Sequence, residues 1–187
     1  MDALAARERP VHTAKLRAEV APLFAHNPRP DYRTLKDLKM LECVVMESLR
    51  LYPPVPMTFR QAAQGAWLDG VFVPKSTLLY VPIRVINTWK ETWGDDAEAF
   101  VPERWLALPD AVNPTFSFLS FIAGPHGCIG KTMSISEMKA VIACGAGRRF
   151  EFAPVYEGQV AKPTAAVTMK PSDNMPLLVK RVRTPPA

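Results

Sequence analysis

Nineteen prolines in 187 residues set the first limit on what this chain can fold into. Each proline fixes φ and removes a backbone donor, so a bundle of long helices is excluded. Turns, irregular loops and short strands must make up much of the chain. With 48% hydrophobic and 22% charged residues, it still reads as one globular domain over residues 1–187 rather than a disordered segment. The net charge of +5 is scattered along the chain, without the interleaved basic and aromatic residues of an RNA-binding surface, which excludes nucleic acid as the expected partner. Three cysteines (Cys43, Cys128, Cys144) are too few and too far apart for a disulfide framework. No CxxC or HExxH occurs, so no zinc site is expected, and a reducing or cytosol-facing compartment fits best. The opening MDALAARERPVHT lacks a signal-like apolar run, and no window approaches the roughly 18 apolar residues of a membrane span.

Residues 10–24 predict a helix with Leu16, Val20 and Leu23 on one side, Pro10 in its first turn and Pro22 ending or kinking it. After a loop, Asp31 or Thr34 would cap a helix running to about Tyr52, its apolar stripe being Leu38, Leu41, Val45 and Leu49. Pro53 and Pro54 stop it. From Val55 to Asn87 the pattern predicts two or three short strands, with Asp69-Gly70 as a hairpin turn. Residues 88–115 are irregular. A last helix is expected from about Ile129 to Cys144, with Met133, Met138, Val141 and Ile142 in the core, and short strands follow from Arg149 in FEFAPV, AAVTM and LLVKRV. Cys43, Cys144 and the methionines at 40, 46, 133 and 138 read as core filling, and His12 and His26 are given no role.

The chemistry concentrates in FIAGPHGCIG, residues 121–130. Gly124, Gly127 and Gly130 allow left-handed backbone and close approach to a flat partner. A cysteine where a helix begins sits among unpaired N–H groups and the positive end of the helix dipole, both of which favour the thiolate. A thiolate is a good soft ligand for iron. A lone cysteine among glycines is more often a buried cysteine beside a turn, but the pattern here is longer. Phe121, Gly124, His126, Cys128 and Gly130 together resemble the haem-binding signature of the cytochrome P-450 family, the haem-thiolate monooxygenases.

That resemblance implies that Cys128 is the axial, catalytic ligand of a haem b (iron protoporphyrin IX), that Phe121 packs near the sulfur, and that Gly130 belongs to the haem-contacting loop. His126 stands where arginine is usual and would meet a haem propionate; Arg60, ten residues after Arg50, would meet another. Glu47-Ser48-Leu49-Arg50 followed by LYPPVP resembles the family's K helix, with Arg104 in PERW as a third, structural member. Trp105 replaces the more usual phenylalanine, which reads as a modest change in aromatic packing. Asn87-Thr88-Trp89-Lys90 matches the family's His-Asp-Pro segment only in outline, and the helix at 10–24 resembles its J helix. The likeness runs from about residue 10 to about 182.

The implied fold is mainly α with small β-sheets, the C-terminal part of the cytochrome P-450 fold from the J helix onward. A complete member is more than twice as long, so the distal helix and N-terminal half are expected to be absent. In the full-length parent, one oxygen atom of O2 would enter a small organic substrate, with electrons from an NADPH-dependent reductase. If that parent is eukaryotic, the cytosolic face of the endoplasmic reticulum is its expected place. The alternatives are a truncated, inactive fragment or a haem-binding protein without monooxygenase activity. Lys131 and Lys139 are candidates for a basic docking face.

Overall fold

A computed structural model of the chain describes residues 3–27, 29–145, 149–159, 161–164 and 168–182. Helix α1 (Ala3–His26) starts upstream of Pro10 and continues past Pro22, contrary to the break expected there. Burial of Leu16, Val20 and Phe24, spaced by four on both sides of Pro22, carries the helix through the missing donor. The next stretch is two helices instead of one: α2 (Tyr32–Lys36) and α3 (Lys39–Leu51). Asp31 caps α2, its side chain accepting the Thr34 N–H at 2.9 Å. Leu38 then turns extended and breaks the run.

Both exposed helix ends at this break receive partners from distant elements. The Glu19 carboxylate accepts the N–H groups of Met40 and Leu41, each at 2.9 Å, capping α3 from α1. Lys139 Nζ donates to the carbonyls of Leu35 and Lys36 at the end of α2, at 3.2 and 3.1 Å. These long-range caps stabilise an interruption that local sequence does not announce.

Four short strands lie between Pro53 and Asn87, where two or three were expected. Strands β1 (Thr58–Gln61) and β4 (Leu78–Val81) pair antiparallel, with Phe59 opposite Tyr80 and Arg60 opposite Leu79. Between them, β2 (Ala66–Leu68) and β3 (Val71–Val73) form the anticipated hairpin. Asp69 (φ 46°) and Gly70 (φ 76°) both take the positive φ of a tight two-residue turn. The apolar run after β4 turns helical as α4 (Ile83–Ile86), followed by α5 (Lys90–Trp93) and a 3-10 turn over Pro102–Leu106. Helix α6 (Lys131–Cys144) precedes the antiparallel pair β5 (Phe150–Pro154) and β6 (Leu177–Arg181). The expected AAVTM strand lies partly outside the described residues.

Helix α3 lies between two apolar clusters. Leu16, Val20 and Phe24 of α1 meet Leu35, Leu41 and Ala143 on one side. On the other, Val45 and Leu49 pack with Trp93, Ala97, Val112 and Phe118. Some expected core residues lie elsewhere. Met133, Val141 and Cys144 are exposed on α6, whereas Lys139 is buried, because the inward face of that helix is set by Ile135, Met138, Ile142 and Ala143. The molecule is thus mainly helical with small antiparallel sheets.

Candidate functional site

Behind the cysteine loop sits a fully buried carboxylate. Glu47 lies on the inner face of α3 and accepts five hydrogen bonds. Its Oε1 takes Arg50 Nη2 (2.8 Å), Arg104 Nε (3.0 Å) and the Val101 N–H (2.9 Å). Its Oε2 takes Arg50 Nε (2.8 Å) and Trp105 Nε1 (3.0 Å). The spacing of three on α3 puts Glu47 and Arg50 on one face, and Arg104 arrives from the 3-10 turn, as the sequence suggested. Trp105 does more than pack: its indole N–H is the fifth donor. Arg50 uses every N–H it has, sending its remaining three to the carbonyls of Asn87, Ala97 and Ala99, and its guanidinium lies 5.0 Å from the Trp93 ring centre. Burying these charges is tolerable only because each has its partners.

The end of α3 is fastened to the approach to the loop. Asn87, fully buried, receives the Leu119 N–H on Oδ1 at 2.9 Å, and its Nδ2 donates to Arg50 O at 3.2 Å and Ser120 Oγ at 2.8 Å. Ser120 Oγ donates in turn to Leu49 O at 2.7 Å. The sequence marked Asn87 only as part of an outline match and Ser120 not at all, since an isolated polar residue after an apolar run carries no periodic signal.

From Phe121 the loop folds on itself. Phe121 is half-buried against the second cluster, edge-on to Phe118 with centroids 6.4 Å apart. The Cys128 N–H returns to Phe121 O at 2.8 Å, and the Gly127 N–H to Gly124 O at 2.9 Å. Ile122 and Gly124 take positive φ, 57° and 67°, and a Cβ added at Gly124 would meet nothing within 4 Å. The outer side of that turn is therefore open. His126 is exposed in a short 3-10 turn (Gly124–His126). Cys128 is a free, exposed thiol, and Ile129 beside it is fully exposed. Helix α6 begins at Lys131, with Gly130 as its N-cap, three residues later than a helix starting at the cysteine would. The turn at Gly127–Gly130 is what delays it. Gly130 lies under the sulfur: a Cβ there would sit 3.8 Å from Cys128 Sγ.

Phe121, Gly124, His126, Cys128 and Gly130 thus share one turn. Arg60 is elsewhere engaged, donating to Thr58 Oγ1 (3.3 Å) and Phe59 O (2.7 Å) on its own strand. Cys43 differs from Cys128 in kind: burial, then the negative charges of Glu19, Glu103 and Glu42, pushes its thiol up and keeps it protonated. Lys139 is buried against Glu42 and the end of α2, so it cannot serve a docking face; Lys131 remains exposed, its Nζ 5.9 Å from the Phe121 ring centre. Among the described residues no group of three or more His, Cys, Asp or Glu side chains is placed to hold a metal ion. An iron at Cys128 would have to bring further ligands with it, as a porphyrin does, and an exposed thiol on an open, glycine-lined turn fits such a flat group.

The sequence of this chain matches one family model, Cytochrome P450, over residues 6–178. Similar curated proteins include cytochrome P450 monooxygenase 128 of Postia placenta, 36% identical over 193 residues covering 89% of this chain and 35% of that protein. A cytokinin hydroxylase of Arabidopsis thaliana is 32% identical over 173 residues, 92% of this chain and 33% of that protein. Cytochrome P450 monooxygenase buaD of Petromyces alliaceus is 35% identical over 148 residues, 72% of this chain and 27% of that protein. The chain belongs to the cytochrome P450 family. It corresponds to the C-terminal portion, spanning about a third of the length of the curated relatives it matches. Haem and iron are general properties of that family, and monooxygenase chemistry is its oxidoreductase activity. No helix among the described residues is long and apolar enough to cross a membrane.

Proposed function

We propose that Cys128 is the axial thiolate ligand of a haem b iron, and that the protein whose C-terminal portion this is acts as a monooxygenase. The observation that carries the reading is the exposed Cys128 thiol on a turn closed by its own N–H to Phe121 O. When bound, a thiolate-ligated haem supplies reductive use of O2 and transfer of one oxygen atom to a small organic substrate. The other roles fall to this chain's residues. Phe121, packed on the apolar cluster and holding the Cys128 N–H with its carbonyl, would lie beside the sulfur, and Gly130 leaves room next to it. His126, exposed two residues before the ligand, and Arg60 meet the propionates, Arg60 after releasing the Phe59 carbonyl. The Glu47–Arg50–Arg104 network holds the turn's foundation and touches no reacting atom.

Electrons would come from an NADPH-dependent reductase, and a eukaryotic parent would work at the cytosolic face of the endoplasmic reticulum. The coverage of about a third of each relative favours a second reading for the 187 residues alone: a haem-binding or inactive fragment without turnover. Expressing the chain with haem and recording the reduced, carbon-monoxide-bound spectrum beside Cys128→Ala tests the ligand. A thiolate-type Soret band in the parent that is lost in the variant is expected. A free-haem spectrum in both would favour the inactive-fragment reading, and an iron held in a longer chain through another side chain would sink the assignment.

A further inference from the structure

The Asn87 side chain touches both the end of α3 and the approach to the cysteine turn. We propose that it is a positioning residue for Cys128, acting through Leu119 and Ser120. The proposal deepens the haem-thiolate reading and rests on it for the role of the loop, but its geometry stands apart from any cofactor.

The amide is used at three points. Two acceptors, Arg50 O and Ser120 Oγ, face Nδ2 at 3.2 and 2.8 Å, and one donor, the Leu119 N–H, faces Oδ1 at 2.9 Å. A planar group with two donors and an acceptor at this reach is an asparagine side chain. Aspartate would present oxygen to the Arg50 carbonyl, leucine would leave all three partners bare, and neutral histidine offers one donor and one acceptor. The residue is also gripped through its main chain, its N–H donating to Ile83 O (2.9 Å) and its carbonyl accepting Arg50 Nη1 (2.9 Å). Being fully buried, it exchanges none of these bonds for water.

The bonds lead in one direction. Glu47 fixes the Arg50 guanidinium, Arg50 gives its carbonyl to Asn87, and Asn87 holds residues 119 and 120. The next residue, Phe121, supplies the carbonyl that receives the Cys128 N–H. Displacing 119–120 would therefore move the point to which the ligand residue is tied. Packing of Phe121 on Phe118 fixes where that segment lies on the core, while the amide fixes which carbonyls and N–H groups it presents.

Asn87→Leu, branched at Cγ as asparagine is, removes all three side-chain bonds, and Ser120→Ala removes one acceptor and the bond to Leu49 O. The first readout is amide hydrogen exchange in the 187-residue chain without cofactor, comparing residues 119–128 with residues 41–47 of α3. Asn87→Leu is expected to speed exchange in 119–128 about tenfold or more while 41–47 changes little, with a smaller effect of the same pattern in Ser120→Ala. If Asn87→Leu fails to fold, Ser120→Ala decides. Exchange in 119–128 that is unchanged, or that rises only in step with 41–47, overturns the proposal. The second readout is the reduced, carbon-monoxide-bound spectrum with haem: Asn87→Leu is expected to shift the thiolate band toward the Cys128→Ala spectrum. A parent chain with no such band refutes haem-thiolate binding by these 187 residues, and the exchange comparison still decides the role of Asn87.

Discussion

Replacing Trp105 by phenylalanine isolates one hydrogen bond from one packing contact. In the structure the indole does two things. Its N–H donates to Glu47 Oε2 at 3.0 Å, and its ring lies 5.7 Å from Trp93 and 5.2 Å, edge-on, from Phe118. Phenylalanine keeps a ring at the same Cβ and loses the donor. A hydrogen bond to a charged group contributes about 1.5–3 kcal/mol. Because Oε2 keeps the Arg50 Nε bond at 2.8 Å, the carboxylate is not left bare, and the loss falls near the lower end of that range. The smaller ring, at a partly buried site, adds roughly 1 kcal/mol of lost burial. We expect Trp105→Phe to cost about 2–3 kcal/mol in urea unfolding followed by far-UV circular dichroism, with the denaturant slope unchanged. Trp105→Leu, which also loses both aromatic contacts, should cost only modestly more. If Trp105→Phe stays within about 0.5 kcal/mol of the parent while Trp105→Leu loses 2–3 kcal/mol, the ring alone matters and the hydrogen-bond reasoning is refuted.

Two further outcomes follow from buried and surface charge. Lys139→Met should destabilise by about 2–3 kcal/mol in the same assay, because the Lys36 carbonyl and the Glu42 carboxylate lose the ammonium and the Leu35 carbonyl is left with its backbone donors alone; an unchanged midpoint would mean water replaces the lysine at no cost. Hydrogen bonds from Arg84, outweighing partial burial, hold the Glu98 carboxyl below the usual carboxylate range. The folded state therefore binds its proton less readily than the unfolded chain, so this contribution is present above about pH 4.5 and fades as pH falls through the lower folded value. Arg84→Gln should flatten the acid limb of the stability profile, and an identical limb in the variant would refute the pairing.

What the sequence disclosed was periodic or local. The stripe Leu41, Val45, Leu49 recurs at steps of four, and Asp69-Gly70 occupies a turn that demands positive φ, so both are legible without neighbours. The cysteine turn was legible because its glycines and cysteine lie within ten residues. The break between α2 and α3 was not, since Glu19 and Lys139, which satisfy the two helix ends, lie 21 and 104 residues from the atoms they bind. The bonding roles of Asn87 and of the Trp105 indole N–H were missed for the same reason: their partners are 32 to 58 residues away. Pro22 misled because the rule for a missing donor is local, whereas the burial of Val20 and Phe24 that overrides it comes from packing on Leu41 and Ala143.

The irregular backbone and the buried network belong to one physical problem. Between α5 and Pro102, residues 94–101 have backbone carbonyls that find no ladder or helix, yet this stretch must run beside the core. Arg50 resolves this directly: one guanidinium gathers the carbonyls of Asn87, Ala97 and Ala99, and Arg104 adds those of Trp93 and Asp96. Glu47 pairs with both arginines and takes the Val101 N–H as well, and Asp96 supplies Arg104 with the second negative charge. Apolar packing would tolerate small slips of these segments, since dispersion has no direction. Hydrogen bonds to fixed charges do not, and removing any one partner strands the rest in a low-dielectric interior. The irregular half of the fold is therefore held in register by charge, and the cysteine turn, fastened through Asn87 to the same arginine, inherits that register.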